Sequence, residues 1–531
     1  MNDETTPVLI VGAGLAGLST AVFLGLHGVS SIVVERHPGT SRQPKARGQA
    51  PATMEALRTA GVADDFLAAA PPGEPGMRIV ITPGVAGPAL RDFADDLPAF
   101  ESLSAEPYGG VSQERAEAIL ARRAAELGAD IRFSTRMESF HDDGDGVTAV
   151  VRGPDGDDRQ VRARYLVAAD GHKGGIRDTL GVTTHGRVAP RPTRTLFAQF
   201  EADLDRYRSG HAVALWYVQN PDLPGGSATV VSTDHPGRYV IALADEQDAS
   251  DARCVELIRT AVGVSDLAVT VTDRATTASG SHIVRVADSF VAGRVLLVGD
   301  AAHLMPPTGG QGGNLAVMDG FHLAWKLAAV LGGSAGPRLL DSHDTERRPL
   351  ADAYAEQQYA NMAQRHAPGL RDESVAELLD PATLLFGYQC PAGAFVAEPA
   401  PAPLFRDPTA PGAPAGGRAP HVPLLRSGTR VSTRALFGRT FVLLSGDEGE
   451  AWQKAGRAAA ERLGVGLDGF RIGPDADLQD PDGAWLDAYG LTPSGGTLVR
   501  PDGVIAYRGR NEDGAAGLED ALRTVLCRAA R

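Results

Sequence analysis

A chain of 531 residues, 43% hydrophobic and only 6% aromatic, is long enough for two or three domains with cores of their own. Its formal net charge of −15 counts against nucleic acid and anionic membranes as partners, since neither gains from an acidic surface. The three cysteines, Cys254, Cys390 and Cys527, show no CxxC spacing and imply neither a disulfide framework nor a metal site, so free thiols in a reducing cytoplasm are expected.

The first apolar stretch, VLIVGAGLAGLSTAVFLGLHG, imitates an export signal, but Asp3 and Glu4 precede it and no basic residue does. It reads better as a nucleotide-binding turn. Residues 8–11 form an all-apolar run suited to a buried parallel strand, and after Gly17 apolar residues continue at helical spacing to a stop at Gly28. Between them, Gly12-x-Gly14-x-x-Gly17 lets the backbone turn, approach a pyrophosphate and pack helix on strand, and the helix start offers free N–H groups. A second strand, 31–34, ends in Glu35, about 20 residues past the glycines, where an acid binds ribose hydroxyls. This half-site suits NAD and FAD equally.

Residues 164–170 form another apolar strand, ending in Asp170-Gly171 with Arg177 shortly after. From 185 to 285 the pattern changes to short alternating runs, TLFAQFEADL, HAVALWYVQNP, SATVVSTD and RYVIALAD, which predict an antiparallel sheet with one wet face. The strand 295–298 ends in Gly299-Asp300, and a run through Pro306, Pro307 and Gly309 to Gly313 opens a helix from Asn314. Its polar stripe is narrow (Asp319, His322, Lys326), so the helix is expected to be mostly buried with its N-terminus aimed into a cavity. Residues 391–421, rich in Pro, Ala and Gly, read as an extended connector. The last stretch, 422–531, has strands TFVLLSG, GFRIG, TLVRPD and GVIAYRG with helices near 450–463 and 516–529, the pattern of a small thioredoxin-like α/β unit without dithiol chemistry.

Three blocks in order, VGAGLAGLSTAVFL with VVER, LVAADGHKGGIRDTLGV, and GRVLLVGDAAHLMPPTGGQGGNLAVMDGFHLAWKL, resemble the FAD-dependent aromatic hydroxylases typified by para-hydroxybenzoate hydroxylase. The likeness is greatest to the actinomycete aromatic-polyketide hydroxylases of anthracycline and angucycline biosynthesis, and continues through LLDSHDTERRP, GGRAPHVPL and LVRPDGVIAYR. It implies an α/β (α+β) chain with a Rossmann-like FAD-binding domain at 1–184 and 286–390, a substrate sheet inserted at 185–285, a linker at 391–421 and a thioredoxin-like domain at 422–531.

The same resemblance assigns roles. Gly12, Ala13, Gly14, Leu15, Ala16 and Gly17, with Glu35 and Arg36, would hold the ADP end of FAD. Asp170 and Asp300 would hold its middle, and Gly313, Asn314 and Leu315 would place N–H groups at the flavin's pyrimidine edge. Pro306, Pro307 and Gly309 would line the ring. Gln113 stands where the family has a flavin-contacting Gln at a helix start, and Lys45 and Arg47 compete for the place of an Arg near the FAD phosphates. Gly174 departs from the family, where Ser is usual, which weakens the expected contacts to the nicotinamide. Phe197, Trp216 and Tyr217 are candidate aromatic walls of the substrate cavity, and His282 and Arg285 candidate polar contacts; His303 is read as structural.

The implied reaction is reduction of FAD by NADPH or NADH, capture of O2 as a flavin C4a-hydroperoxide, and oxygen transfer to a phenolic polycycle. Because the cofactor carries the hard step, no catalytic side-chain pair is required. Baeyer–Villiger oxidation, epoxidation or inactivation of an antibiotic would use the same scaffold, and a non-catalytic FAD-binding protein is the alternative from another class. The resemblance leaves room for a homo-oligomer.

Overall fold

The structure, a computed structural model, describes residues 3–41, 46–93, 100–188, 194–244, 246, 248–278, 283–365, 368–399 and 402–528. Lys45 and His282 lie outside the described residues. The first domain is built on a sheet whose central strand, Asp3–Val11, runs parallel to Ser31–Val34 on one side and to Asp158–Ala168 on the other. Val295–Leu297 continues the parallel order beside Asp158–Ala168. Residues such as Leu9, Ile10 and Leu166 are fully buried, which is why these strands read as unbroken apolar runs and not as alternations.

The register decides where the site lies. Val11 pairs with both Ala168 and Val34, and Ala168 pairs with Leu297. The residues just past each strand, Gly12, Glu35, Asp170 and Asp300, therefore leave the sheet at one edge, the carboxyl edge where open α/β sheets bind ligands. Two helices cover this part of the sheet, Leu15–Leu26 and Gln311–Leu331. They meet at Gly320, where a Cβ would lie 2.7 Å from the Thr20 nitrogen, so only glycine permits the contact. The second helix begins at Gln311, three residues before the expected Asn314, because Gly310 takes up the left-handed conformation (φ 69°) that starts it.

The second sheet has seven strands in the order Thr270–Ala278, Arg194–Glu201, Arg238–Ala244, Ser227–Ser232, His211–Gln219, Glu74–Thr82 and Arg91–Asp92. Among residues 185–285 the strands of this sheet pair antiparallel, as expected, and the sheet is extended by a strand from outside that span: His211–Gln219 pairs in parallel with Glu74–Thr82. That strand arrives from the first part of the chain by a long crossover, and only a hairpin would have forced antiparallel entry. One face of the sheet packs Leu196, Phe200, Trp216 and Tyr239 against Cys254, Leu257 and Ile258 of the helix Asp251–Val262.

The stretch 391–421 forms neither helix nor named strand among its described residues, yet it is not a free spacer. Ala394, Phe395, Ala413, Ala415 and Ala419 are buried, and Arg418 bridges to Val504. Its small apolar side chains lie flat on the last domain. There Phe441–Gly446 runs parallel to Leu467–Ile472 and antiparallel to Gly496–Val499, which pairs with Ile505–Gly509, a thioredoxin-like pattern. The helices Glu450–Leu463 and Leu518–Val525 pack around Trp452 and Leu443; the second is shorter than the expected 516–529 because a 3-10 turn, Glu512–Gly517, precedes it.

Candidate active site

The glycine turn after the first strand is enforced by contact. Gly12 has φ 107°, and a Cβ on it or on Gly17 would overlap the Ala169 and Gly12 carbonyls respectively. Around Gly14, by contrast, a Cβ would meet nothing closer than Glu117 Oε1 at 3.7 Å, which leaves a cradle beside the helix start. Glu35 Oε2 accepts the Ala13 N–H at 2.9 Å, so the acid at the second strand end is oriented over the turn, while Arg36 is exposed beside it. Gln113 opens the helix Gln113–Glu126, as its position implied; its Oε1 accepts the Ala46 N–H at 3.3 Å and its Nε2 donates to Glu117 Oε1 at 2.6 Å.

The Asp170-Gly171 and Gly299-Asp300 blocks meet at the same edge. Asp170 Oδ2 accepts the Ile176 N–H at 3.1 Å, and burial pushes its carboxyl above the ordinary value. A Cβ on Gly174 would collide with that carboxylate, so the departure from serine there is tied to where Asp170 sits. Arg177, buried, donates to the Ala301 carbonyl at 3.0 Å and joins the first block to the turn that carries Asp300. Asp300 itself is half exposed and stands 3.9 Å from the His172 imidazole. Arg285 donates to the His172 carbonyl at 2.5 Å.

The run into the long helix closes the other end. Pro306 is buried, Pro307 exposed and Gly309 half-buried, with the Gly310 N–H donating to the Pro307 carbonyl at 3.1 Å. A Cβ on Gly313 would sit 3.2 Å from both Ala46 and Leu15, so the starts of the two helices converge on one space. Asn314, buried, accepts the Ala50 N–H at 2.8 Å and donates to the Gly310 carbonyl at 2.9 Å, pinning the first turn. Leu315 is buried beside it, and this turn also borders a cavity of about 110 Å³ that reaches Arg418 and Val504. The open cradle at Gly14, the half-exposed Asp300 and the converging helix starts fit an elongated dinucleotide laid along the edge. The turn at Gly12 to Gly17 would take its ADP end and the turn at Gly309 to Leu315 its ring.

Two expected positions are engaged elsewhere. Arg47 is paired with the second sheet: its guanidinium lies 2.5 Å from Asp234 and donates to the Gly110 carbonyl at 3.0 Å, because a buried cation needs a buried partner. Trp216, 2% exposed, belongs to the core between the second sheet and its helix, packed on Tyr239. Tyr217 and Phe197 alternate to the opposite face; Tyr217 is hydrogen-bonded to Arg365 and its phenol is raised by burial, while Phe197 is 40% exposed.

His303 is fully buried with Nε2 2.7 Å from Asp319 Oδ2, and Asp319 also takes Arg347 and the Gly299 N–H at 2.9 Å each. Burial raises the Asp319 carboxyl, and His303 and Arg347 outweigh it, so the group stays ionised. The polar stripe of the long helix is thus a set of anchors. Lys326 donates to Glu346 at 2.7 Å, and His322 and Trp325 each lie 2.9 Å from Asp502 of the last domain. Arg500 bridges Glu346 at 2.6 Å to Asp502, tying the last domain to the helix. The stripe is legible in the sequence but its partners are not, apart from the RPD of LVRPDGVIAYR, where charged residues stand inside a strand-and-turn pattern.

The FAD binding domain family covers residues 5–358, and the C-terminal domain family of the aromatic-ring hydroxylases covers residues 413–529. The chain belongs to the FAD-dependent aromatic-ring hydroxylases. An aklavinone 12-hydroxylase from Streptomyces purpurascens is 40% identical over 99% of this chain and 100% of its own. A 4-methyl-5-nitrocatechol 5-monooxygenase from a Burkholderia species is 38% identical over 99% of this chain and 98% of its own. The crystal structure of a ternary complex of aklavinone-11 hydroxylase with FAD and aklavinone superposes with a TM-score of 0.90, at 39% identity and 99% and 100% coverage. This hydroxylase is an enzyme with FAD as cofactor and NAD(P)H as reductant. No described helix is long and apolar enough to cross a membrane.

Proposed function

We propose that the protein hydroxylates a phenolic polycyclic substrate of the aromatic-polyketide type in antibiotic biosynthesis, in the cytoplasm, with NADPH or NADH and O2. The observation that carries this reading is the meeting of Gly12, Asp170 and Asp300 at one sheet edge. Relatives that act on aklavinone, matched along their whole length, support the substrate class.

FAD, when bound, would supply the redox chemistry, with NAD(P)H as hydride donor and O2 as oxidant, one oxygen atom ending on the aromatic ring and the other in water. The chain's own residues bind, orient and exclude water. Glu35 and the N–H groups after Gly12 would hold the ADP end, and Asp300 would accept hydroxyl hydrogen bonds in the middle. N–H groups at Gly313 to Leu315, at the positive end of a 21-residue helix, would stabilise negative charge at the ring. Phe197 and Tyr217 would pack on the face of the polycycle and leave its oxidised carbon toward the Pro306–Pro307 turn.

Oxidation of NADPH and NADH is to be followed with aklavinone and a panel of anthraquinones, naphthacenes and benz[a]anthracenes, with product mass and NMR. A substrate that stimulates oxidation and gains one oxygen as an aromatic hydroxyl supports the reading. A lactone product, or no stimulation by any polycycle beside stimulation by a small catechol, would overturn it.

A further inference from the structure

The substrate sheet reaches the flavin side through one buried carboxylate. Asp234 lies in the turn after the strand Ser227–Ser232; its side chain is 3% exposed and meets Arg47, 8% exposed, at 2.5 Å. Its other oxygen accepts the Ser112 N–H at 3.3 Å and the Ser112 hydroxyl. Arg115 approaches that oxygen at 3.5 Å and donates to the Asp234 carbonyl at 3.2 Å. Arg47 and Ser112 are themselves partners across a two-stranded ribbon, Arg47–Gln49 against Gly109–Ser112. One side chain from the sheet therefore grips both strands of the ribbon at a single rung.

The next rung touches the flavin site. Ala46 and Gln113 exchange hydrogen bonds there, the Gln113 N–H to the Ala46 carbonyl at 2.8 Å and the Ala46 N–H to Gln113 Oε1 at 3.3 Å. The start of the long helix leans on the same segment: a Cβ on Gly310 would lie 3.4 Å from the Arg47 carbonyl, and one on Gly313 would lie 3.2 Å from Ala46. Contact thus runs unbroken from Asp234 through Arg47 and Ser112 to Gln113 and the Gly310–Gly313 turn. A buried ion pair adds little stability over an apolar pair of the same volume, but it fixes one arrangement, because a displaced charge would be left buried without a partner.

We propose that Asp234 is a positioning residue for the flavin site: it holds the ribbon of Arg47 and Gln113 in register with the substrate sheet, so that sheet and ring-binding turn keep one relative placement. This rests on the reading that FAD binds along the carboxyl edge.

The test is titration of FAD into the apo-protein, followed by quenching of flavin fluorescence, with visible circular dichroism of the bound flavin as the second readout. Asp234→Asn keeps acceptors for Ser112 and removes the charge that holds Arg47. It should weaken FAD binding about ten-fold and alter the dichroism, and in an Arg47→Gln background should add no more than about two-fold. Wild-type affinity and dichroism in D234N would overturn the proposal, and so would an undiminished effect in the R47Q background. Should D234N not accumulate as folded chain, Ser112→Ala and Arg47→Lys break the same junction from the ribbon side and carry the same expectation. A wild-type chain that leaves FAD fluorescence unquenched would sink the flavin reading and the role of Asp234 with it, whereas normal wild-type binding beside an unaltered D234N would sink only the latter.

Discussion

Gly299 stands against Ala16 so closely that a Cβ added to it would lie 2.7 Å from the Ala16 methyl. One residue belongs to the glycine turn at the start of the chain and the other to the strand end almost three hundred positions later. Their contact brings two motifs far apart in sequence to one place at the carboxyl edge of the first sheet. Because Gly299 also has φ 60°, both its backbone and its missing side chain are required.

Gly299→Ala should therefore strain the turn and press the helix Leu15–Leu26 away from Asp300. Left-handed backbone and overpacking together put the cost on the order of 2–4 kcal/mol. A lower melting temperature and a reduced flavin-to-protein ratio in the purified variant are the expected outcome. Retention of flavin at the wild-type ratio would contradict the assigned junction.

Glu346 is the hub between the long helix and the last domain. It accepts from Lys326 at 2.7 Å, from Arg500 at 2.6 and 2.8 Å and from the Ala394 N–H at 2.7 Å. Burial raises its carboxyl, and Arg500 and Lys326 outweigh it, holding the group at about 2. Glu346→Gln leaves two buried cations facing one carboxylate, Asp502, and should cost about 3–5 kcal/mol. The denaturation midpoint measures the loss, and limited proteolysis should show earlier cleavage between the first and last domains than in wild type.

Acid stability should fall in two stages. Burial lowers His343 to about 4 from 6.5, with Nε2 2.8 Å from the Leu297 carbonyl, so the folded state holds it neutral. A depressed histidine contributes stability that is complete above pH 6.5 and lost as pH falls toward 4, by at most about 3 kcal/mol. Glu346, depressed below 4.5, begins to lose its contribution only below that value. His343→Gln keeps a donor for Leu297 and should flatten the melting-temperature profile between pH 6.5 and 4.5. His27, also lowered to about 4 by burial, leaves a residual slope. An unchanged slope in the variant would remove His343 from the account.

How much of this was legible in the sequence follows from the range over which each requirement acts. Gly12 and Gly299 announce themselves because the left-handed backbone that needs glycine is local, Gly17 because the Gly12 carbonyl it must clear is only five residues away, and the strand ends at Asp170 and Asp300 because an apolar run stops there. Partners across long separations leave no such mark. Arg47 read as a phosphate contact because its match, Asp234, lies 187 residues away in another sheet. Likewise Asp319, His322 and Lys326 read as a polar stripe, since nothing in the helix itself shows that Arg347, Asp502 and Glu346 come to meet them. Alternation places Trp216 and Tyr217 on opposite faces, but it does not say which face meets the substrate and which meets a helix.

That last distinction is testable by separating stability from kinetics. Trp216 fills the core with Tyr239 and Cys254, so Trp216→Ala should cost about 3–5 kcal/mol. Phe197, 40% exposed on the opposite face, should cost far less on Phe197→Ala, about 1 kcal/mol or below, because much of its ring already meets solvent. If that face receives the polycycle, F197A should instead raise the KM for aklavinone and uncouple NADPH oxidation from product, by about ten-fold for one aromatic contact of 1–1.5 kcal/mol. Hydrogen peroxide release against product formed gives the coupling. A destabilised F197A with unchanged KM would mean that the two faces have been assigned the wrong way round.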